Sequence, residues 1–545
     1  MLTKSPVSVN KFFALLWVKK EKKRAHIAFS SDFGYDVSDL EKQREGNAMN
    51  RRKILCIILI IAVLAGTAAA FFLSGSSSAP ETAPEGEDLA AQLAGLDGVV
   101  SVESVEQNAE DADGNPQYCY RYKYFVTFRQ PLDWKDPSAG TFDQRVLIGI
   151  DDKSAVNVLE TQGYIIPESN IHNDPRLDQE ILLHGNYVEI EHRFFGESVP
   201  EGLSRDGTAL WNYMTTYNAA SDQYKVVTEL KKLLPGKWVA TGRSKGGLTA
   251  NMLTMYYPDA VDLTVSYVAP LADDSDTRFY HFIYEEAANV HYGEAERELM
   301  TEFQIECLKR RSELMPSFEE AALASGAAFR EQTTPDVLFD VCVLETAAGT
   351  WQYGQDFARI EACLGMPEET DDEKAAKTAA FIEIITEAIV DTDVNSPYFP
   401  YFIEAAQELG NYVYDFSYLR QALRERGMEP SEYLTLEEGR SWCAADLAFT
   451  DEQREVFVYD GTMNRALKEW VETTDSHVIM IYGSSDPWYA TRIPDTDNPN
   501  VLIFVSGRTP HTTVVTDERA KKNNDYSFEK DEQAEIVKAI TDWLQ

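Results

Sequence analysis

Cysteine is scarce. Six occur in 545 residues (Cys56, Cys119, Cys307, Cys342, Cys363 and Cys443), and no two are spaced as Cys-x-x-Cys. A zinc ribbon or a thioredoxin-like site needs that spacing, so neither is expected. Cys56 lies in an apolar run, which leaves five others, so at most two disulfides form among them. Four of these fall between 307 and 443, where one or two bridges are expected if the compartment is oxidising. Metal-ligand spacing, a dinucleotide fingerprint and a phosphate loop are all missing, so the chemistry is expected to need no metal and no cofactor. Positive charge is also short, with 50 Lys and Arg against 90 Asp and Glu, a net −40. Residues 1–53 hold 12 basic and 6 acidic residues, so the remainder carries about −46. Such a body repels nucleic-acid phosphates and anionic headgroups, which excludes DNA and RNA as partners. It attracts cations, among them peptides with a free amino terminus. Aromatics are not scarce: 26 Phe, 27 Tyr and 9 Trp exclude a disordered chain and supply a large core.

One long apolar run exists, Ile54 to Leu73. As a helix it spans ~30 Å, the thickness of a hydrocarbon core. Arg51, Arg52 and Lys53 precede it, so the amino end stays inside and the body is exported. Ala68-Ala69-Ala70 offers a signal-cleavage site, while Phe71, Phe72 and Leu73 prolong the run as a retained anchor would. The protein is then either surface-anchored through 54–73 or secreted. Residues 1–53 are a cytoplasmic tail or owe their presence to an upstream start, since Met49 opens a more usual export signal. Residues 74–97, rich in Ser, Pro and Glu at their start, are expected to be a linker.

Strand patterns begin near 118. They run over 118–129, 144–150, 155–160, 187–191, 237–241 and 263–268, with helical stretches at 219–234 and 248–257 between them. From 274 to 470 only Glu-, Ala- and Leu-rich helical segments appear. Strands return at 478–482 and 501–505, followed by an amphipathic helix at 529–544. Alternating strands and helices predict an α/β fold with a mostly parallel sheet. Residues 98–273 and 471–545 would form one catalytic unit of α/β-hydrolase type, with 274–470 inserted as a helical lid.

Gly242-Arg243-Ser244-Lys245-Gly246 is a Gly-x-Ser-x-Gly sequence between a predicted strand and a predicted helix. In that setting the serine stands on a sharp turn with its hydroxyl at the carboxyl end of the strand, and the Lys245 N–H points where an oxyanion would form. A serine nucleophile needs a base, and the base needs an orienting carboxylate. Two histidines follow Ser244 in the returning sheet segment, His477 and His511. His477 precedes its strand and falls at the wrong end of the sheet. His511 follows the strand 501–505, and Asp486 follows 478–482, both at the catalytic end. Asp495 and Asp497 are weaker rivals for the acid, and Ser485 lacks an elbow. A second oxyanion donor is expected near Tyr164, in the loop after an earlier strand. Substrate contacts are expected from Glu197, from Asp273, Asp274 and Asp276 at the start of the lid, and from Trp488. A carboxylate in Glu191-His192-Arg193-Phe194-Phe195-Gly196-Glu197 either meets a substrate amine or pairs with Arg193.

The segments VEIEHRFFGESVP (188–200), YNAASDQYKVV (217–227), GKWVATGRSKGGLTANMLTMYYPDAVDLTVSYVAP (236–270) and IYGSSDPW (481–488) resemble the secreted prolyl tri- and tetrapeptidyl aminopeptidase family of serine peptidases. Residues 130–134 and 140–146 fit the same pattern. A more distant likeness is to the lysosomal Pro-X carboxypeptidase and dipeptidyl peptidase family. The resemblance implies an α/β-hydrolase with a helical cap, a Ser244–Asp486–His511 triad, and exopeptidase action on proline-containing peptides. Around His511 the sequence departs from the family, with Arg-Thr-Pro before it and Thr-Thr-Val-Val after. Two other readings use the same scaffold, an esterase or lipase and a non-catalytic tethered binding protein.

Overall fold

The computed structural model describes residues 85–545 except 113, 204, 206, 287–292, 355–356, 390, 440, 508 and 524–525. The expected tail and the apolar run 54–73 lie outside the described residues. Within the described residues no helix is long and apolar enough to cross a membrane.

A described helix lies inside the stretch expected to be a linker. Helix α1, Glu85–Ala94, buries Leu89 and Leu93 against the first strands. The acidic, Pro-rich residues just before it masked this apolar spacing in the sequence. Strand β1 (Val99–Ser104) pairs antiparallel with β2 (Tyr122–Pro131), and β2 pairs antiparallel with β3 (Thr141–Ile150). The chain then enters a parallel region: β4 (Asn157–Thr161), β5 (Asn186–Ile190), helix α2 (Thr216–Leu230), β6 (Trp238–Arg243), helix α3 (Lys245–Tyr256) and β7 (Leu263–Tyr267). Between β7 and the next sheet strand only helices and loops are described. Three of those helices matter below: α4 (Pro335–Tyr353), α5 (Pro400–Glu404) and α6 (Thr462–Thr473). The sheet resumes with β8 (Val478–Gly483) and β9 (Val501–Ser506), and helix α7 (Lys530–Trp543) closes the fold.

The nine strands lie in the order β1-β2-β3-β5-β4-β6-β7-β8-β9. From β5 to β9 all neighbours are parallel, so these strands share one carboxyl edge. This is the mostly parallel sheet with a helical insertion of an α/β-hydrolase. β4 to β8 are almost wholly buried, as strands covered by helices on both faces must be. The insertion has its own core around Phe303, Phe339, Leu344, Trp351 and Phe381. Helix α4 escaped the sequence reading because it is buried nearly all round, so VLFDVCVL carries no amphipathic period. The predicted insertion boundary at 470 falls within α6, whose Leu467 and Trp470 pack with Met252 and Met480 on the sheet side.

The disulfide expectation does not hold. Cys119, Cys307, Cys342, Cys363 and Cys443 are all free thiols. Four of them are buried as small apolar side chains within helix packing.

A cluster of carboxyl groups is buried beside the sheet. The Tyr187 hydroxyl lies 2.6 Å from both Glu160 and Glu189. A phenol has one proton, so one of the two carboxyls must supply the other. Burial raises Glu189 and Glu160, and it pushes the neighbouring Glu180 up to about 8, with the Glu160 charge adding to it. The native state therefore holds protons that the unfolded chain releases near pH 4.5. Stability from these groups is complete below pH 4.5 and is lost as pH rises towards 8. Urea unfolding across pH 5 to 8 should show unfolding free energy falling by about 1.4 kcal/mol per pH unit for each retained proton. Glu180→Gln should flatten that slope by one proton's worth.

Candidate active site

Strand β6 ends at Arg243 and helix α3 starts at Lys245, which leaves Ser244 alone at the turn. Ser244 has φ 55° and ψ −126°, a conformation that costs a non-glycine residue on the order of 1–3 kcal/mol. The surrounding glycines allow the crossing. A Cβ at Gly242 would stand 2.5 Å from the Gly246 carbonyl, one at Gly246 2.6 Å from Thr161 O, and one at Gly247 2.7 Å from Tyr267 O. The turn is pinned by Ser244 N–H donating to Tyr267 O at 2.9 Å.

From Gly483 at the end of β8, Ser484-Ser485 leads to Asp486. Its Oδ1 accepts the Trp488 N–H at 3.1 Å, and its Oδ2 accepts His511 Nδ1–H at 2.6 Å. Both side chains are buried, at 0% and 1% exposure. A carboxylate at Nδ1 selects the tautomer that leaves Nε2 as the base. The loop carrying His511 leans on Gly483, where a Cβ would fall 2.2 Å from Thr509 O. His511 N–H donates to Gln352 O at 2.8 Å, which ties the histidine to helix α4 of the insertion. The structure thus joins Asp486 and His511 directly and sets Ser244 on the same carboxyl edge. Of the rivals, Asp495 pairs with Arg492, and His477 sits before β8 stacked on Trp543 at 4.6 Å. A surface cavity of about 500 Å³ beside His477 and Trp470 lies at that opposite edge.

The loop after β4 lies against the elbow. Thr161 Oγ1 donates to Gly246 O at 2.8 Å, and a Cβ on Gly163 would meet Gly246 N at 2.7 Å. Tyr164 follows, its ring edge-on to Phe195 at 5.6 Å. Lys245 is also tied down through its side chain. Its Nζ donates to Gly163 O at 2.7 Å and pairs with Glu404 of α5 at 2.7 Å. His192 Nε2 also faces Glu404, at 3.3 Å. Burial pushes the Glu404 carboxyl up, but Lys245 and His192 outweigh it and hold the group at about 2. Glu404 is absent from the sequence reading because nothing local marks one glutamate among many in a helical segment.

The expected substrate contacts have mixed fates. Asp276 is buried and committed to Arg278. Asp273 lies 3.8 Å from Lys468 and 3.9 Å from Arg278. Asp274 and Glu197 are exposed. Trp488 is half-buried between Phe279 and Tyr412, with ring centroids at 4.8 and 5.3 Å. The expected pairing of Arg193 inside its own segment is corrected. Arg193 is fully buried and forks onto Asp222 of α2 at 2.8 and 3.0 Å. Glu191 instead accepts Ser198 Oγ–H at 2.7 Å and the Ile166 N–H at 3.1 Å, so Glu191 and Arg193 both hold the loop together. A second carboxylate missed in the sequence is Glu345 of α4, bound by the phenols of Tyr280 and Tyr412.

A prolyl tri/tetrapeptidyl aminopeptidase of Streptomyces mobaraensis is 29% identical over 443 residues, 80% of this chain and 81% of that one. A lysosomal Pro-X carboxypeptidase of Bos taurus is 35% identical over 94 residues, 16% of this chain and 19% of that one. Among solved structures, a proline iminopeptidase of Mycobacterium smegmatis is 10% identical, covers 77% of this chain and 98% of that one, and gives a TM-score of 0.28. The profile described as PS-10 peptidase S37 matches residues 110–498, which take in Ser244 and Asp486 and stop short of His511. With that match over most of its length, on a sheet whose carboxyl edge carries the strained serine, this chain belongs to the PS-10 peptidase S37 family and is a serine peptidase.

Proposed function

We propose that this chain is an exported serine exopeptidase that releases tri- or tetrapeptides from the free amino terminus of short proline-containing peptides. The observation that carries it is the buried 2.6 Å His511–Asp486 hydrogen bond on the edge where Ser244 stands strained. The activity for which the Streptomyces relative is named supports the register. Export is supported by the apolar run 54–73 behind Arg51-Arg52-Lys53.

Ser244 Oγ attacks the scissile carbonyl while His511 Nε2 takes its proton. The Lys245 N–H and a donor near Tyr164 receive the oxyanion. His511 then protonates the leaving amine as the C–N bond breaks, which leaves the amino-terminal fragment esterified to Ser244. Water, deprotonated by His511, releases that fragment. Asp486 fixes the imidazole and stabilises its charged form. The Lys245–Glu404 pair positions the oxyanion loop through Gly163 O. Residues 274–470 act as a lid that admits short or loosely structured peptides, and Trp488 walls the pocket.

A fluorophosphonate should label Ser244, and absence of labelling would favour a non-catalytic binding protein. Ser244→Ala should lower kcat by ~10⁴–10⁶ with the fold intact, because triad members act as a unit. For the same reason His511→Ala added to Ser244→Ala should cost little more than either alone. Strictly additive losses would separate the two residues into different steps. Fractionation of the producing cells should find the protein in membranes after a high-salt wash, or outside as a form beginning near Phe71. A soluble cytoplasmic protein would remove the export reading.

A further inference from the structure

Several buried carboxylates of the insertion and its borders have a cation beside them: Glu404 has Lys245, Asp340 has Arg311 and Asp276 has Arg278. Glu345 does not. Among the described residues its partners are the hydroxyls of Tyr280 and of Tyr412, the latter at 2.7 Å, and no Lys or Arg pairs with it. Glu345 is packed about by protein and yet keeps some accessible surface. Tyr412 carries the contact onward to Trp488, two residues past Asp486, with Phe279 stacked on it at 4.3 Å. A carboxylate with no cation, set among aromatic rings, is a receptor for an ammonium group.

Helix geometry supplies a ruler. Glu345 and Gln352 both lie on α4, seven residues apart, and so project from the same face about 10.5 Å apart along the axis. Gln352 O is the acceptor for the His511 N–H. An extended peptide rises about 3.3 Å per residue, so about three residues cover that length. We propose that Glu345 receives the α-ammonium of the substrate, and that its spacing from His511 along α4 sets the length of the released fragment. This rests on the aminopeptidase reading above and gives that reading its specificity-determining residue. The exposed Asp274 and Glu197 are weaker receptors, since ion pairs in water are worth little.

Titration supports the assignment. Burial pushes the Glu345 carboxyl up to about 7, with the two phenols opposing. The groups around it are Tyr280 and Tyr284 from the segment before α4, Cys342 on α4, Tyr401 on α5, and Tyr412 and Tyr414 from the loop beyond. Burial raises all of these, so they stay neutral near pH 7, and Glu345 is the group among them that changes charge there. Preference for a free amine should therefore climb as pH rises through 7 and decline above about 8, where the α-amine itself loses its proton.

The test uses the whole protein, a proline-containing hexapeptide and its amino-acetylated twin, with products read by mass spectrometry. The wild type should prefer the free peptide by ~10- to 100-fold in kcat/KM, the usual worth of a hydrogen bond to a charged group. Glu345→Gln should lose most of that preference through KM, leave the acetylated peptide unchanged, and scatter the product lengths. Glu345→Asp keeps the charge and withdraws it by one methylene, so it should retain part of the preference. If the wild type prefers the free peptide and both variants keep the full preference, Glu345 is not the receptor and the aminopeptidase reading stands. Equal cleavage of the two peptides by the wild type would instead overturn that reading, and this one with it. Should the variants fail to fold, the wild-type preference measured from pH 5.5 to 8 decides, and a flat profile rejects Glu345.

Discussion

Ser244 is held in a backbone conformation that a serine does not choose, and the packing around it exists to impose that conformation. Three backbone segments close on the turn at distances no side chain would tolerate: Thr161 against Gly246, Tyr267 against Gly247, and Gly246 against Gly242. Thr161 and Tyr267 end strands β4 and β7 of the parallel region and Gly246 lies in the first turn of helix α3, so the sheet register sets the position of the hydroxyl. Asp486 and His511 inherit the same frame, because they follow β8 and β9 on the edge that ends β6. One constraint, parallel strands ending together beneath a glycine-lined turn, aligns three residues far apart in the chain.

Environment, not residue type, sorts the carboxylates. Glu404 and Glu345 are both glutamates of the insertion, both enclosed, and both beside tyrosines. Lys245 and His192 hold Glu404 down at about 2, whereas Glu345, offered only phenols, rises to about 7. The first is a fixed anion that ties α5 to the elbow and to the loop after β4. The second changes charge near neutrality. The segment Glu191–Ser198 shows the converse, since Glu191 and Arg193, charges that read as a binding site, are spent on Asp222, Ser198 and the Ile166 N–H. A buried charge must find a partner, and in this segment the partners are internal.

The insertion is joined to the catalytic edge by specific bonds. Gln352 of α4 meets the backbone of His511, and Glu404 of α5 meets the side chain that follows Ser244. A shift of either helix would move His511 itself or the residue next to Ser244.

Local pattern sufficed for much of this. Strands buried on both faces stand out as apolar runs, and a Gly-x-Ser-x-Gly between strand and helix has few other uses, so the sheet, Ser244, Asp486 and His511 could be read from order and spacing. The same reasoning placed His477 at the wrong end. It failed where the signal is not local. Helix α4 is apolar all round and shows no period, and α1 hides behind a Pro- and acid-rich stretch. Glu404 and Glu345 look like any other glutamates among 90 acidic residues. Their partners lie 159 residues away at Lys245 and 65 and 67 away at Tyr280 and Tyr412, distances along the chain that only folding closes. A carboxylate's charge depends on which groups surround it and how much water reaches it, and neither quantity is written in the residues beside it.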